Sequence, residues 1–352
     1  MFSTAATSPD PEALATLRAA LADLAPATRA RGPWKSGAFR AMTDAGLLAG
    51  FIPADCGGSG AREGALLAAL TEVARGCLTT ALALTQWASA CRLLAAADDP
   101  LRRLILPRLA SGEETTTVGI AQLTTSRQHQ GTPALRAARR DGGWRLDGVC
   151  PWVTGADTVD TIVTGAVAED GAASFFVVRR GCPGLAIDPP MELLALSAAR
   201  TSRVRFDGVE PEVVIRPTGP SNARAGGLAT TALALGATRA ALDILGREAA
   251  ARRGMSPIVA GFAAETDALA ARMAAGAVES TPADRDALRT AASGLVLRAS
   301  QAALVASKGA GFTVGHPAER GVREAMLFLV WSCPEQVASA VLCELAQLGD
   351  PA

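Results

Sequence analysis

The residue types best suited to metal or nucleophilic chemistry are two histidines, His129 and His316, and seven cysteines. Their spacing points away from both kinds of site. The cysteines stand at 56, 77, 91, 150, 182, 333 and 343 without a Cys-x-x-Cys pair, so no zinc site of ordinary spacing is expected. An odd set of unpatterned thiols suits burial in a reducing compartment. His129, between Gln128 and Gln130, could line a pocket; equally, it is a loop histidine in solvent. Arg252 and Arg253 close a helical stretch. A guanidinium pairs well with phosphate oxygens, but a helix C-terminus favours basic residues in any case. Gly309 and Gly311, just before Phe312, permit close backbone approach or simply make a helix-to-helix turn. Trp152 and Thr154 set a flat apolar wall beside a hydroxyl, or form an ordinary strand. Ser332-Cys333-Pro334-Glu335 has the S-x-x-E form of a capping box, which would engage the Ser332 hydroxyl and the Glu335 carboxylate with backbone amides.

The elements that must carry these residues change texture twice. Residues 8 to 112 read as helices. Asp10-Pro11 is a capped start, Leu14, Leu17, Leu21 and Leu24 follow at helical spacing, and GLLAGFIPADCGGSG (46 to 60) is a loop. From Thr115 to Arg216, short apolar runs alternate with turn signals. ALRAARR and WRLDGV, joined by Asp141-Gly142-Gly143, predict a hairpin, and TIVTGAV, SFFVV and RVRFDGV predict further strands. Helical texture returns after Pro220: one helix over 225 to 251, a long one from Thr281-Pro282-Ala283-Asp284 to about Lys308, then Ala318 to Trp331 and Pro334 to Leu348. The order helical, β, helical disfavours a Rossmann sheet.

The chain has 352 residues, which calls for two or three cores, and a formal net charge of zero. Neutrality offers no electrostatic reason to bind nucleic acid or an anionic membrane, and it leaves self-association easy. The start lacks the form of a secretory signal, and no uninterrupted apolar run of membrane length stands out. A soluble, cytoplasmic protein without a metal site is the expectation.

Five segments in register carry a resemblance: GLLAGFIPADCGGSG, LPRLASGE, PWVTGADTVD, VRFDGV and KGAGFTVGHPAERGVREA. Together they resemble the acyl-CoA dehydrogenase superfamily over nearly the whole chain. The resemblance implies an α+β, mainly α fold: an N-terminal helical domain (1–113), a middle β-barrel-like domain (114–217) and a C-terminal four-helix bundle (218–352). It implies FAD between the β domain and the bundle, and a neighbouring subunit completing the dinucleotide site.

Site roles follow from the same resemblance. Trp152 matches the tryptophan that packs on the isoalloxazine, and Thr154 the hydroxyl near flavin N5. Thr124 matches the threonine of a Thr-Glu-Pro signature, with Thr125 and Ser126 replacing Glu and Pro. Gly309, Gly311 and Phe312 match a turn set against a neighbour's adenosine-diphosphate, with Lys308 in place of its first glycine. Arg252 or Arg253 matches an arginine that reaches the pyrophosphate in another subunit, one residue short in spacing. Counting from Arg323-Glu324-Ala325, the glutamate base falls at Ser332. The alternative base position near Gly226 carries no acid, which leaves Glu335 as a displaced candidate.

The expected function is an FAD-binding, acyl-CoA dehydrogenase-like oxidoreductase acting on an acyl-CoA or acyl-carrier thioester without a recognisable glutamate base, as a homodimer or homotetramer. The alternatives are a flavin monooxygenase or oxidase of the same fold, and a non-catalytic subunit of a hetero-oligomer.

Overall fold

A computed structural model describes residues 10–97, 99–124, 133–215, 227–331 and 335–346. The N-terminal part is helical: α1 (Pro11–Arg31), α2 (Ala38–Asp44), α3 (Leu47–Gly50), α4 (Glu63–Gly76), α5 (Leu78–Ala95) and α6 (Asp99–Ala110). The Asp10-Pro11 start forms as expected, the Asp10 carboxylate accepting from the Glu12 N–H at 3.2 Å. The expected loop from 46 to 60 is tighter than its composition suggests. It contains α3 and a turn of 3-10 helix at Ala54–Cys56, because Leu47, Leu48, Ile52 and Cys56 are all buried.

Among the described residues the middle part is a sheet of eight strands: β1 (Thr116–Gly119), β2 (Leu135–Arg140), β3 (Gly143–Thr154), β4 (Thr161–Ala168), β5 (Ala173–Arg179), β6 (Leu185–Ile187), β7 (Thr201–Val209) and β8 (Val213–Ile215), with the one-turn helix α7 (Ala121–Thr124) after β1. The strands run in the order β6-β7-β3-β2-β4-β5-β8, and β1 lies parallel beside β4. The predicted hairpin is β2–β3, with Arg140 opposite Gly143. Asp141 and Gly142 both have positive φ (49° and 80°), as a tight two-residue turn of this hand requires. The run SFFVV lacks polar alternation because both of its faces are buried: Phe175 and Val177 pack into the helical core, Phe176 and Val178 into the interior of the sheet.

The C-terminal part is a bundle of α8 (Leu228–Ala251), α9 (Ser256–Gly276), α10 (Pro282–Gly311), α11 (Pro317–Ala325), α12 (Leu327–Val330) and α13 (Glu335–Leu345). The capped start of α10 is a full capping box: the Asp284 N–H donates to Thr281 Oγ1 at 3.2 Å, and the Thr281 N–H to Asp284 Oδ2 at 2.9 Å. Regular geometry ends at Lys308 (φ 53°, ψ −146°), the residue at which the long helix was expected to stop. The single helix expected from 318 to 331 is instead α11 and α12, bent at Met326. Residues 256 to 276, unassigned by periodicity, form α9.

By length and composition α8 could cross a membrane, but most of it is buried in the protein, which makes it a core helix. Glu72 of α4 ties it to the N-terminal part, accepting from Arg18 of α1 at 2.7 Å and Arg239 of α8 at 3.2 Å. Arg75 of α4 forks onto Asp243 of α8 at 2.8 and 2.6 Å.

Candidate functional site

The C-terminal end of β3 carries the two site residues whose side chains are described best. The β3–β7 register slips between Cys150 and Val153. Such a bulge re-aims the side chain at its apex. Cys150 and Val153 point into the sheet, fully buried, while Trp152 between them turns outward and stays 46% exposed.

Two residues on, Thr154 is buried. Its hydroxyl lies 3.2 Å from the Thr201 hydroxyl on β7, and its carbonyl accepts from Thr117 Oγ1 at 2.8 Å. Two hydroxyls sharing one hydrogen bond leave one O–H hydrogen and several lone pairs for a third group. Either oxygen can be the donor within the pair, so Thr154 can donate or accept outward.

The chain then turns at Gly155 (φ 70°), whose N–H donates to the Arg200 carbonyl at 2.9 Å. A Cβ at Gly155 would lie 2.2 Å from the Trp34 ring, so the N-terminal part packs directly on this turn. Arg200 in turn holds Asp157 with its guanidinium, Nε lying 2.9 Å from Oδ2.

A second edge comes from β1 and α7. Gln122, buried, donates from Nε2 to the Gly119 carbonyl at 3.3 Å and to the Gly165 carbonyl at 2.5 Å, and Thr164 Oγ1 donates to the Gly119 carbonyl at 2.8 Å. These bonds pin α7 across β1 and β4 and so place the backbone of Thr124, its last residue. The Thr124 side chain lies outside the described residues, as do Thr125, Ser126, Gln128, His129 and Gln130.

The two phosphate candidates converge at the far end of the bundle. Arg252, at the end of α8, pairs with Glu248 at 2.5 Å and donates to the Ala306 carbonyl of α10, two residues before the Lys308 kink. Its guanidinium is therefore engaged within its own chain, a structural role that spacing alone did not reveal. The Arg253 side chain lies outside the described residues. Gly309 has open space where a side chain would stand. Gly311 does not: a Cβ there would meet Ser307 Cβ at 2.6 Å. Phe312 and Val314 project outward, 81% and 87% exposed.

Ser332, the expected base position, and the capping box predicted for it lie outside the described residues. Glu335 opens α13 and is exposed. Two ionisable groups of the bundle escaped sequence analysis, one buried and one half-buried. Arg289 of α10, 1% exposed, donates to the Trp331 carbonyl. Glu324 of α11 lies 3.8 Å from Arg320. Burial pushes its carboxyl above the usual glutamate range, against the pull of Arg320, Arg323 and Arg29. The only hint of Arg289 in the sequence is a cation placed within the apolar stripe of a helix.

Burial holds five of the described thiols in their unreactive form. Burial raises Cys150 to about 12 and pushes Cys56, Cys77, Cys91 and Cys182 upward as well. Among the described residues no group of three metal-ligating side chains comes together. An open hollow of about 580 Å³ at the β3–β6–β7 edge, lined by Gly148, Leu185, Arg205 and Phe206, contains none of the expected site residues.

A flat aromatic cofactor fits the Trp152 edge: an indole wall stands free, with a hydroxyl pair beside it that has a hydrogen to give.

Comparison with known proteins agrees with this fold. Residues 12–113 match the family "Acyl-CoA dehydrogenase, N-terminal domain". The L-prolyl-(peptidyl-carrier protein) dehydrogenase of Pseudomonas fluorescens is 31% identical over 179 residues, 48% of this chain and 47% of that protein, so the match spans about half the length of this relative. A glutaryl-CoA dehydrogenase from Mycobacterium smegmatis, solved with FADH2, superposes with a TM-score of 0.78 at 18% identity, covering 96% of this chain and 95% of that one. KijD3, solved with FMN and a dTDP-amino-keto sugar, superposes with a TM-score of 0.76 at 22% identity over 100% and 98%. At these identities the two structures establish the fold. The family match and the relatives point to one superfamily.

Proposed function

We propose that this chain, a member of the acyl-CoA dehydrogenase superfamily, is an FAD-dependent oxidoreductase acting on an acyl thioester, carried by CoA or a carrier protein, without a glutamate at the usual base position. The observation that carries this reading is the bulged end of β3, where Trp152 stands exposed beside the Thr154–Thr201 hydroxyl pair. Bound there, FAD would supply the hydride acceptor. Trp152 would wall one side of the ring, Thr154 would bond at its N5 edge, and the end of α7 at Thr124 would border the pyrimidine end. Gly309, Gly311 and Phe312, with Arg253 or a released Arg252, would face the phosphates of a neighbouring copy's FAD. The exposed Phe312 and Val314 suit burial in a homodimer or homotetramer. A cytoplasmic location goes with this reading.

A second reading, a flavin monooxygenase or oxidase of the same fold, is favoured by Ser332 at the base position and by Thr125-Ser126 in place of Glu-Pro. Purified protein should be yellow. Anaerobic mixing with a panel of acyl-CoA and acyl-carrier thioesters should bleach the flavin if the first reading holds. A yellow protein that no thioester bleaches favours oxygen chemistry. A colourless protein that takes up no FAD sinks both and leaves a non-catalytic partner subunit.

A further inference from the structure

The loop between β6 and β7 is strained at two non-glycine residues, Leu196 (φ 62°) and Arg200 (φ 55°, ψ 49°), both in the left-handed region. Side-chain-bearing residues stay there only when their surroundings over-determine the backbone. At Arg200 the constraints are visible. Its N–H donates to the Ser197 carbonyl at 2.9 Å, and its carbonyl receives the Gly155 N–H at 2.9 Å. Its Nε donates to both oxygens of Asp157, at 3.1 and 2.9 Å, while its terminal nitrogen reaches the same carboxylate. The aliphatic stem packs on α1's end: a Cβ at Gly32 would lie 2.7 Å from Arg200 Cδ. The residue after Arg200 is Thr201, and the residue before Gly155 is Thr154. Arg200, just before β7, therefore clasps the turn after β3 immediately outside the Thr154–Thr201 hydroxyl pair, its carbonyl holding Gly155 and its guanidinium holding Asp157.

We propose that Arg200, locked by Asp157, is a positioning residue that sets the orientation of the Thr154–Thr201 hydroxyl pair toward the flavin. The proposal rests on the reading above that the flavin lies against Trp152 and Thr154. The Thr201 hydroxyl is the partner that lets Thr154 donate or accept outward. Changing the geometry of the clasp changes which of these the pair can offer, and hence how strongly the site prefers one redox state of the cofactor over the other.

The test is titration of oxidised and reduced FAD into apoprotein carrying Arg200→Gly, Arg200→Lys, Asp157→Asn, Thr201→Val or Thr154→Val, with the visible spectrum of the bound flavin and the melting temperature of each apoprotein. Glycine suits the left-handed backbone, so Arg200→Gly removes the clasp without adding strain. Lysine keeps the charge but not the fork. The expected result is that Arg200→Gly, Arg200→Lys and Asp157→Asn each change the ratio of the two affinities about tenfold, about 30 mV for a two-electron couple. The shift should take the same direction as in Thr201→Val, and it should not track the change in melting temperature. A purely structural arginine would lower the melting temperature and leave the ratio alone. That outcome, with Thr154→Val still shifting the ratio, overturns the role of Arg200 and keeps the flavin at Thr154. If Thr154→Val alters neither spectrum nor ratio, the flavin is elsewhere, and the proposal falls with the reading beneath it.

Discussion

The buried guanidinium of Arg289 donates to the carbonyl of Trp331, the residue immediately before the expected base position. A long helix of the bundle thereby holds the backbone at Trp331, next to the position proposed for the base. Arg289→Ala removes a charged donor from a closed interior and leaves a cavity. It should cost about 3 kcal/mol, read as a lower urea midpoint. A loss under about 0.5 kcal/mol would show that the contact is incidental.

Glu324 predicts a pH dependence. Its folded-state carboxyl titrates above the usual value because burial disfavours the charge. Between the ordinary glutamate value and the raised one, the folded state binds more protons than the unfolded. Stability therefore falls as pH rises through that window. Glu324→Gln should remove this fall, so the melting-temperature difference between variant and wild type should grow in the variant's favour from acid toward neutral pH. A flat difference would mean that the nearby arginines offset the burial fully.

Arg252 tests the division between structure and cofactor. Since it spans Glu248 and the Ala306 carbonyl, Arg252→Ala should destabilise the bundle by about 1 kcal/mol in chemical unfolding. If stability is unchanged while FAD affinity drops, the side chain leaves these partners and serves phosphate instead.

Gly155→Ala combines a left-handed φ with a side chain driven into the Trp34 ring. A loss of about 3 kcal/mol is expected, with the fluorescence of Trp34 changed. An unperturbed melting curve would mean that the N-terminal part does not rest on the β3 turn.

Ser332→Glu should place a proton acceptor at the proposed base position. A positioned general base contributes about 10² to 10⁴ in rate, so flavin bleaching by some acyl-CoA should rise at least about a hundredfold over wild type. No gain with any thioester would count against both the assigned position and acyl-thioester chemistry.

Much of the fold was legible because its signals are local. Asp10-Pro11, the Thr281–Asp284 box and the Asp141-Gly142 turn each need only neighbouring residues to work, and each forms. α9 was illegible because it packs between other helices without a sharp apolar stripe of its own, and the break at Met326 because a bend leaves no pattern in a short helix. In the proposed site, the motif singles out Trp152 and Thr154. It does not single out Thr201, Gln122 or Arg200, since each acts on a residue more than forty positions away.

By itself, then, the sequence determined the order of helical, β and helical parts and the superfamily resemblance, and it put forward Ser332 as the proposed base position. Those depend on residue type and short-range spacing. Only the tertiary structure decided that a bulge turns Trp152 outward, that the Thr154 hydroxyl shares its hydrogen bond with Thr201, and that Arg252 is tied within its own chain. Each of these depends on which distant backbone or side-chain group stands within hydrogen-bonding reach, and strand register and helix packing set that distance.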